Sequence, residues 1–545
     1  MINSLNVKKS YLPAAEIATI VLFACIPLFV SFPYRVNIFL SWEGAYRMSQ
    51  GELPFRDFGT PLGGMYWVVP AFFFKLFGAQ MITLVKAQVF LNIISGLAFR
   101  SILKSCGVQP GIKFVSALLY CLSFSFFNFW PWYNHTVIVY EFVGLAFLLK
   151  AITTEKNKRT ILWLLPAAFF TSCSFLTKQD AGGMGFMLCM VLIFYSCLKN
   201  KKWLPLLIYT GAFVLILFLM IAPFLKYNFG YWFNHGQTPH SARISVFELV
   251  DEFFSGSQWI KFYIFLIGVL LIMRFKSWKQ LWQQQNEMLF LLLTVGILGQ
   301  AAIFQVTSYT PPDNNIFYHS FAIAFILTLL ATMLPVDFSK VKVVIACSIG
   351  VMIWWSAVYW KYIQRMAERV FPANEEVVSS TGENIVNRKT YMINVPDSTD
   401  IPVSKWVFSE LRSFKKIYMP EPTVAGISRL LQMDMVRQNK NLRVLNMTEL
   451  TPLAVEMPYR LERGSQYPLW YHLGVGMFNK QAEMFEKKIA DKDYDLVLFE
   501  YIPRLNNFYP FRVRDSLIVN YRKVDSFPAP RSGETKGTIE VYIKP

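Results

Sequence analysis

Residues 161–198 read ILWLLPAAFFTSCSFLTKQDAGGMGFMLCMVLIFYSCL. The apolar runs 161–177 and 181–198 are each close to the ~20 residues that cross ~30 Å of hydrocarbon. Between them stand only Lys178, Gln179 and Asp180, which therefore join two spans at a membrane edge. A further acid, Glu43, follows the first apolar run of the chain. If both points lie on one side of a membrane, they outline a polar site at its surface.

Similar runs lie at 14–32, 82–104, 111–131, 134–153, 204–225, 259–275, 287–307, 316–334 and 342–360. With 54% hydrophobic and only 16% charged residues over 545 positions, the expected fold class is a polytopic α-helical membrane protein. About 11 transmembrane helices are expected. The run at 14–32 has span length and no small-residue cleavage site, so it reads as a retained anchor. The stretch 61–77 is apolar but contains Pro61, Gly63, Gly64 and Pro70, against a straight span.

Charge decides the count. With eleven spans and an inside N-terminus, the short cytoplasmic loops hold 17 of the cations before residue 363 and the longer outer loops hold ten. Making 61–77 a twelfth span would put most basic loops outside, against the positive-inside rule. It is therefore expected to be a membrane-surface or re-entrant helix in a first outer loop, 33–81.

The net charge of +18 does not point to nucleic acid. Residues 1–362 hold 27 Lys and Arg against 13 Asp and Glu, whereas 363–545 hold 26 against 22. The excess belongs to the membrane part, and no basic tract is interleaved with exposed aromatics. Of seven cysteines only Cys106 lies outside an apolar run, and residues 363–545 have none. That region therefore carries neither a disulfide framework nor a zinc-thiolate site.

An odd number of spans leaves residues 363–545 outside. Their shorter apolar runs suggest an extracytoplasmic α/β domain of roughly 150–180 residues, behind a membrane domain at 1–362. Strands are expected at 495–500 and 537–543, and helices at 428–438 and 480–490. Aromatics there, such as Trp470 and Tyr471, suit either stacking on sugars or a core. Removing residues after about 370 is expected to spare donor binding and lower transfer.

In this topology the misplaced polar groups gather on the outer side. Glu43, Arg47, Glu52, Arg56 and Asp57 lie in the first outer loop. Asn134, His135 and Glu141 open the fourth span. His235, His240 and Arg243 follow the seventh, and Asp313, Tyr318 and His319 open the tenth. Ionisable groups at membrane depth are costly and tend to mark sites. Glu43 suits a general base that takes a proton from an attacking hydroxyl, or a solvated loop acid. Asp57 is a second site acid or the partner of Arg56. Lys178 suits a phosphate contact or snorkelling to headgroups. Asp180 suits pairing with Lys178 or capping a helix from Ala181. Glu141 reads as a buried hydrogen-bonded residue or a cavity wall, and Tyr318 and His319 as phosphate contacts or packed residues. There is no phosphate-cradling loop, HExxH or GxSxG run, and the missing phosphate-cradling loop disfavours a nucleotide donor and a nucleotide-driven pump.

Trp42-Glu43-Gly44-Ala45-Tyr46, Gly51-Glu52-Leu53-Pro54-Phe55-Arg56-Asp57-Phe58, Pro61-Leu62-Gly63 and Leu76-Phe77-Gly78 together resemble the first outer loop of GT-C superfamily membrane glycosyltransferases. The group includes protein O-mannosyltransferases (glycosyltransferase family 39) and the lipid A aminoarabinose transferase. Phe175-Leu176-Thr177-Lys178 looks like their Thr-Lys-Gly segment. The pattern differs in having one acid where the family has an acidic pair, and Gln179-Asp180 after the lysine.

The resemblance implies an inverting hexosyl or pentosyl transfer from a polyprenyl-phosphate sugar to a glycan, lipid or protein hydroxyl. It places the reaction outside the cytoplasmic (inner) membrane. Glu43 would be the base and Asp57 a second catalytic acid. Lys178, Asp180, His319, Tyr318, Arg56 and His135 would surround the carrier phosphate or sugar. No cofactor is assigned, and a divalent metal stays open. The expected partners are the lipid-linked sugar, its acceptor and membrane lipids, with no nucleic acid. The rivals are a transporter or lipid-linked-sugar flippase without transferase chemistry, and a structural protein presenting its C-terminal domain.

Overall fold

A computed structural model describes residues 11–34, 38–154, 162–236, 246–308, 317–370 and 401–545, except 402, 440, 458, 470, 472, 474–476, 507 and 532–534. His240, Arg243, Asp313, Trp470 and the His235 side chain thus lie outside the described residues. The chain forms two compact units. One comprises Met1–Val30, Leu40–Trp355 and Arg463–Asn479; the other comprises Ser31–Phe39, Ser356–Glu462 and Lys480–Pro545.

The first unit is helical. Its elements are α1 (Leu12–Phe29), α2 (Ile38–Ser49), α3 (Met65–Phe77), α4 (Met81–Ser105), α5 (Pro110–Ser123), α6 (Tyr133–Thr153), α7 (Leu164–Phe175) and α8 (Gln179–Asn200). They continue as α9 (Leu204–Ile221), α10 (Val246–Ser255), α11 (Gln258–Arg274), α12 (Trp278–Gln283), α13 (Gln285–Ser308), α14 (Tyr318–Met333) and α15 (Val341–Trp354). Among the described residues, six helices are long and apolar enough to cross a membrane: α1, α4, α6, α8, α9 with its following turn, and α13. Counting each of two bent helix pairs as one span makes eight.

The runs read at 111–131, 161–177 and 316–334 form shorter apolar helices, α5, α7 and α14. The physical reason is local. After Ser123 the chain turns through a 3-10 segment, Ser125–Phe127, and Pro131 blocks continuation. Hydropathy alone does not separate such aromatic coil from helix. α3 has 13 residues, about 20 Å of helix, too short to cross ~30 Å. α10 meets α11 at a 75° bend, where Ser257 adopts φ 52°.

The core lies among α4 to α8, α13 and α14, where Phe99, Phe142, Leu192, Ile297 and Phe321 are buried. α9 instead leaves Leu207, Val214, Leu215, Phe218 and Leu219 exposed, as a lipid-facing helix would. A charge inside α1 is paired: Glu16, 0% exposed, accepts from Arg100 Nε of α4 at 2.6 Å.

The second unit is α/β. Its main sheet runs β4 (Val444–Met447), β5 (Leu496–Tyr501), β7 (Thr538–Ile543), β6 (Arg522–Pro528). β4 and β5 are parallel, with Leu445 opposite Val497, and the other neighbours are antiparallel. Leu496 to Phe499 are all buried, so both faces of β5 are covered. A smaller sheet orders β1 (Phe32–Pro33), β3 (Ile417–Met419) and β2 (Val407–Phe408).

The strands expected at 495–500 and 537–543 appear one residue later or nearly so. The helix expected at 428–438 is two, α16 (Glu421–Gln432) and α17 (Asp434–Gln438), because Met433 is extended at ψ 133°. The helix expected at 480–490 is α18 (Phe478–Ala490). Inside this unit Arg531, 2% exposed at its side chain, bonds Glu500 Oε1 at 2.5 Å and Glu449 Oε1 at 2.7 Å.

Candidate functional site

α2 presents Glu43 and Arg47 one turn apart, the spacing at which helical side chains meet. Arg47 Nε donates to Glu43 Oε1 at 2.9 Å, and Arg47 Nη1 donates to Glu52 Oε2 at 2.9 Å. A second guanidinium comes from far along the chain: Arg463 Nε donates to Glu52 Oε1 at 2.8 Å. Arg47 and Glu52 are each 1% exposed and Glu43 is 9% exposed. The result is a row of alternating charge, Glu43–Arg47–Glu52–Arg463, buried as far as Glu52 and ending on Arg463, whose side chain is 57% exposed. Such a row is tenable only because each buried charge has an opposite neighbour. Arg47 also lies 4.8 Å from the Tyr467 ring and 5.7 Å from the Phe58 ring.

Burial pushes the Glu43 carboxyl up from its ordinary value. The Arg47 charge and hydrogen bond oppose this, and the Glu52 charge adds to it. Glu43 Oε1 is occupied by Arg47, while nothing among the described residues bonds Oε2. A carboxylate with one oxygen held and one open, and with a raised proton affinity, is a serviceable general base.

Asp57 has a different environment. It accepts from Arg56 Nη2 at 2.7 Å and from Leu53 N at 2.8 Å. Partial burial pushes its carboxyl up, but the Arg56 and Leu53 hydrogen bonds outweigh that and hold it below its usual range. Asp57 therefore pins the Leu53–Phe58 turn and makes a poor proton acceptor. Of the two roles left open for it by the sequence, the ion pair with Arg56 is formed.

The turn at Pro61-Leu62-Gly63 seats the first loop on the polar corner between α7 and α8. Gly63 N donates to Thr177 O at 3.2 Å. A Cβ on Gly63 would fall 1.7 Å from Leu176 O, so only glycine allows this approach. Immediately beyond, Lys178 Nζ is 3.2 Å from Asp180 Oδ2 and lies 4.5 Å from the Phe304 ring and 5.8 Å from the Tyr133 ring. α8 begins at Gln179, so Asp180 sits inside the first helical turn and pairs with Lys178. It does not cap a helix starting at Ala181. Gln179 Nε2 donates to Trp232 O at 2.7 Å.

A run of ring contacts leads from Gly44, next to Glu43, to Lys178. Trp67 Nε1 donates to Leu40 O at 2.8 Å, and a Cβ on Gly44, next to Glu43, would fall 2.1 Å from the Trp67 ring. Trp67 packs on Tyr66 at 4.4 Å, Tyr66 on Tyr133 at 5.9 Å, and Tyr133 faces Lys178. The Tyr66 hydroxyl is buried without a hydrogen-bond partner among the described residues. Beside this path lies an apolar pocket of about 100 Å³, lined in part by Phe55, Gly63, Met65, Leu176 and Trp232.

The other expected site residues fall into separate clusters. His135 bonds Asn128 and packs edge-on against Phe124. Tyr318 and His319 stack at 4.4 Å, and His319 Nδ1 is 2.7 Å from the Tyr263 hydroxyl. Trp259 and Trp355 close around His319 at 5.6 and 5.2 Å, which makes it a packed aromatic cluster. Glu141, 1% exposed, accepts from Gln300 Nε2 at 2.6 Å. Gln300 also reaches Ala181 O at 3.4 Å, beside the Lys178 corner. Among the described residues no three His, Cys, Asp or Glu side chains cluster to hold a metal ion.

Sequence reasoning missed Tyr66, Tyr133, Arg463 and Tyr467. The Glu43–Arg47 spacing was a usable signal. Nothing in the sequence ties Arg463 to Glu52, which are 411 positions apart.

No family model matches the chain, and no curated protein does. Among solved structures it is similar to ArnT from Cupriavidus metallidurans bound to undecaprenyl phosphate, at 11% identity over 97% of each chain with a TM-score of 0.48. It is likewise similar to the same protein in the apo state, at 12% identity over 97% of this chain and 98% of that one, with a TM-score of 0.47.

Proposed function

We propose that this protein is a membrane glycosyltransferase that moves a sugar from a polyprenyl-phosphate donor to a hydroxyl acceptor, a glycan, lipid or protein, on the outer face of the cytoplasmic membrane. The observations that carry this reading are a buried carboxylate with one open oxygen, Glu43, and a cation at a membrane edge, Lys178, linked by ring contacts that run from Trp67, beside Gly44, through Tyr66 and Tyr133. The first-loop motifs add to it.

Glu43 Oε2 takes the proton of the acceptor hydroxyl as that oxygen attacks the anomeric carbon. The new C–O bond forms on one face while the bond to the carrier phosphate breaks on the other, with inversion. The bonding pair leaves on the phosphate, where Lys178 offsets the growing negative charge. Asp180 holds Lys178 at that edge. No nucleotide is required, because the activated bond arrives with the lipid. The pocket beside Leu176 is apolar enough for the first part of the carrier chain.

This reading takes about 11 spans with a cytoplasmic N-terminus, α5, α7 and α14 among them, and an extracytoplasmic domain at 363–545. The test uses membranes containing wild type or Glu43→Gln and radiolabelled polyprenyl-phosphate sugars, following label leaving the lipid. Loss only with wild type is expected. Equal loss with both removes Glu43 from the chemistry, and no loss across several sugars removes the transferase reading.

A further inference from the structure

The first unit contains a segment from far along the chain, Arg463–Asn479, and its first residues are bound to the first loop at five points. Gly464 N donates to Asp57 O at 2.8 Å. Gly59 N donates to Tyr467 O at 2.7 Å, and Leu469 N returns a bond to Gly59 O at 3.0 Å. Arg463 reaches Glu52, and the Tyr467 ring lies against Arg47. Asn228 Nδ2 donates to Ser465 O at 3.1 Å, which ties the segment to the chain after α9 as well.

Two of these contacts bear on charge. Glu52 stands between two guanidiniums, and Arg47 stands between two carboxylates with an aromatic face beneath it. Without Arg463, Glu52 would have Arg47 as its ionic partner in a nearly dry site. Arg47 would be drawn toward Glu52 and away from Glu43. Without the Tyr467 ring, Arg47 would lose the nearer of its two ring faces and keep Phe58 at 5.7 Å. The orientation of Glu43, whose Oε1 is held by Arg47 Nε, therefore depends on residues more than 400 positions away.

We propose that Arg463 and Tyr467 are positioning residues for Glu43, acting through Glu52 and Arg47, so that the segment 463–469 completes the candidate active site. The inference rests on the transferase reading for the role of Glu43, but the coupling itself is measurable without turnover. Around Glu43, Arg47 on its own helix bonds it and the Glu52 charge acts on it from the following turn; Tyr46 lies by Glu52 and Arg47, and Arg463 and Tyr467 on the distant segment reach Glu52 and Arg47. The Arg56–Asp57 pair lies beyond them. Removing Arg463 takes a positive charge from beside Glu52 and leaves the negative one, so ionisation of Glu43 becomes harder. The same change draws Arg47 off Glu43 and acts in the same direction.

The experiment is a pH-difference infrared titration of the full chain in detergent. The Glu43 carboxyl band is identified by its absence in Glu43→Gln. In Arg463→Ala the midpoint of that band is expected to rise by about one pH unit, a tenfold fall in the ionised fraction below it. Arg463→Lys, which keeps the charge, is expected to stay near wild type, and Tyr467→Leu to rise. Should Arg463→Ala fail to fold, Tyr467→Leu reads the same midpoint. An unmoved midpoint in Arg463→Ala or Tyr467→Leu overturns the proposal, because a purely structural strap would not move it. Label release is measured on the same samples. A midpoint that moves in a protein that releases no label removes the transferase reading and leaves the coupling.

Discussion

Arg47 Nε donates to Glu43 Oε1 at 2.9 Å, and the same guanidinium bonds Glu52, so one buried cation holds two buried carboxylates. Removing it strands Glu43 and leaves Glu52 with Arg463 alone. Arg47→Ala is expected to cost about 3–5 kcal/mol of stability, the usual range for an uncompensated buried charge. Thermal unfolding in detergent measures it. Arg47→Lys keeps the charge but loses the fork, and should fall between alanine and wild type.

The raised Glu43 carboxyl fixes the sign of a pH effect. A base must be ionised, so transfer is lost as pH falls through the carboxyl's value in the folded protein. The acid limb of the pH–rate profile is therefore expected above 4.5, the ordinary value for this group. A limb at or below that value would rule out Glu43 as the group that governs it.

Lys178 makes a separate prediction. Lys178→Met keeps a long side chain against Phe304 and removes the charge. Label release is expected to slow by about 10²–10³, as when one donor to a developing anion is removed. A change in KM alone, with kcat intact, would assign Lys178 to ground-state binding.

The seat of the first loop on Leu176 depends on Gly63. Gly63→Ala puts a methyl 1.7 Å from a backbone oxygen and should destabilise by about 1–3 kcal/mol, with a fall in turnover as the loop lifts from the Lys178 corner. Gly268→Ala, where a Cβ meets nothing within 4 Å, is the matched control and is expected to be neutral or slightly stabilising. Equal effects would show that the loop contact is unimportant.

In the second unit, Arg531 is bound by Glu449 and Glu500, with the Tyr509 hydroxyl 2.9 Å from Nη2. Arg531→Met removes the cation that two buried carboxylates share and should cost about 3–5 kcal/mol. Limited proteolysis of 401–545, read against label release, would show whether unfolding there also stops transfer.

The sequence by itself determined the membrane class, the apolar runs and the positions of Glu43 and Lys178, because hydropathy and charge are local properties that survive without contacts. It also located β5 and β7 to about one residue, since short runs such as Leu496–Tyr501 carry their own signal. Helix ends were less legible: aromatic coil at Ser125–Phe127 and helix have the same hydropathy. Only the tertiary structure decided which polar groups meet. It joined Glu43 to Arg47, Glu52 and Arg463, set Asp57 aside as the partner of Arg56, and sent His319 into an aromatic cluster. Which charges share a dry site depends on chain crossings such as Arg463 on Glu52, 411 positions apart, and no local pattern of residues encodes them.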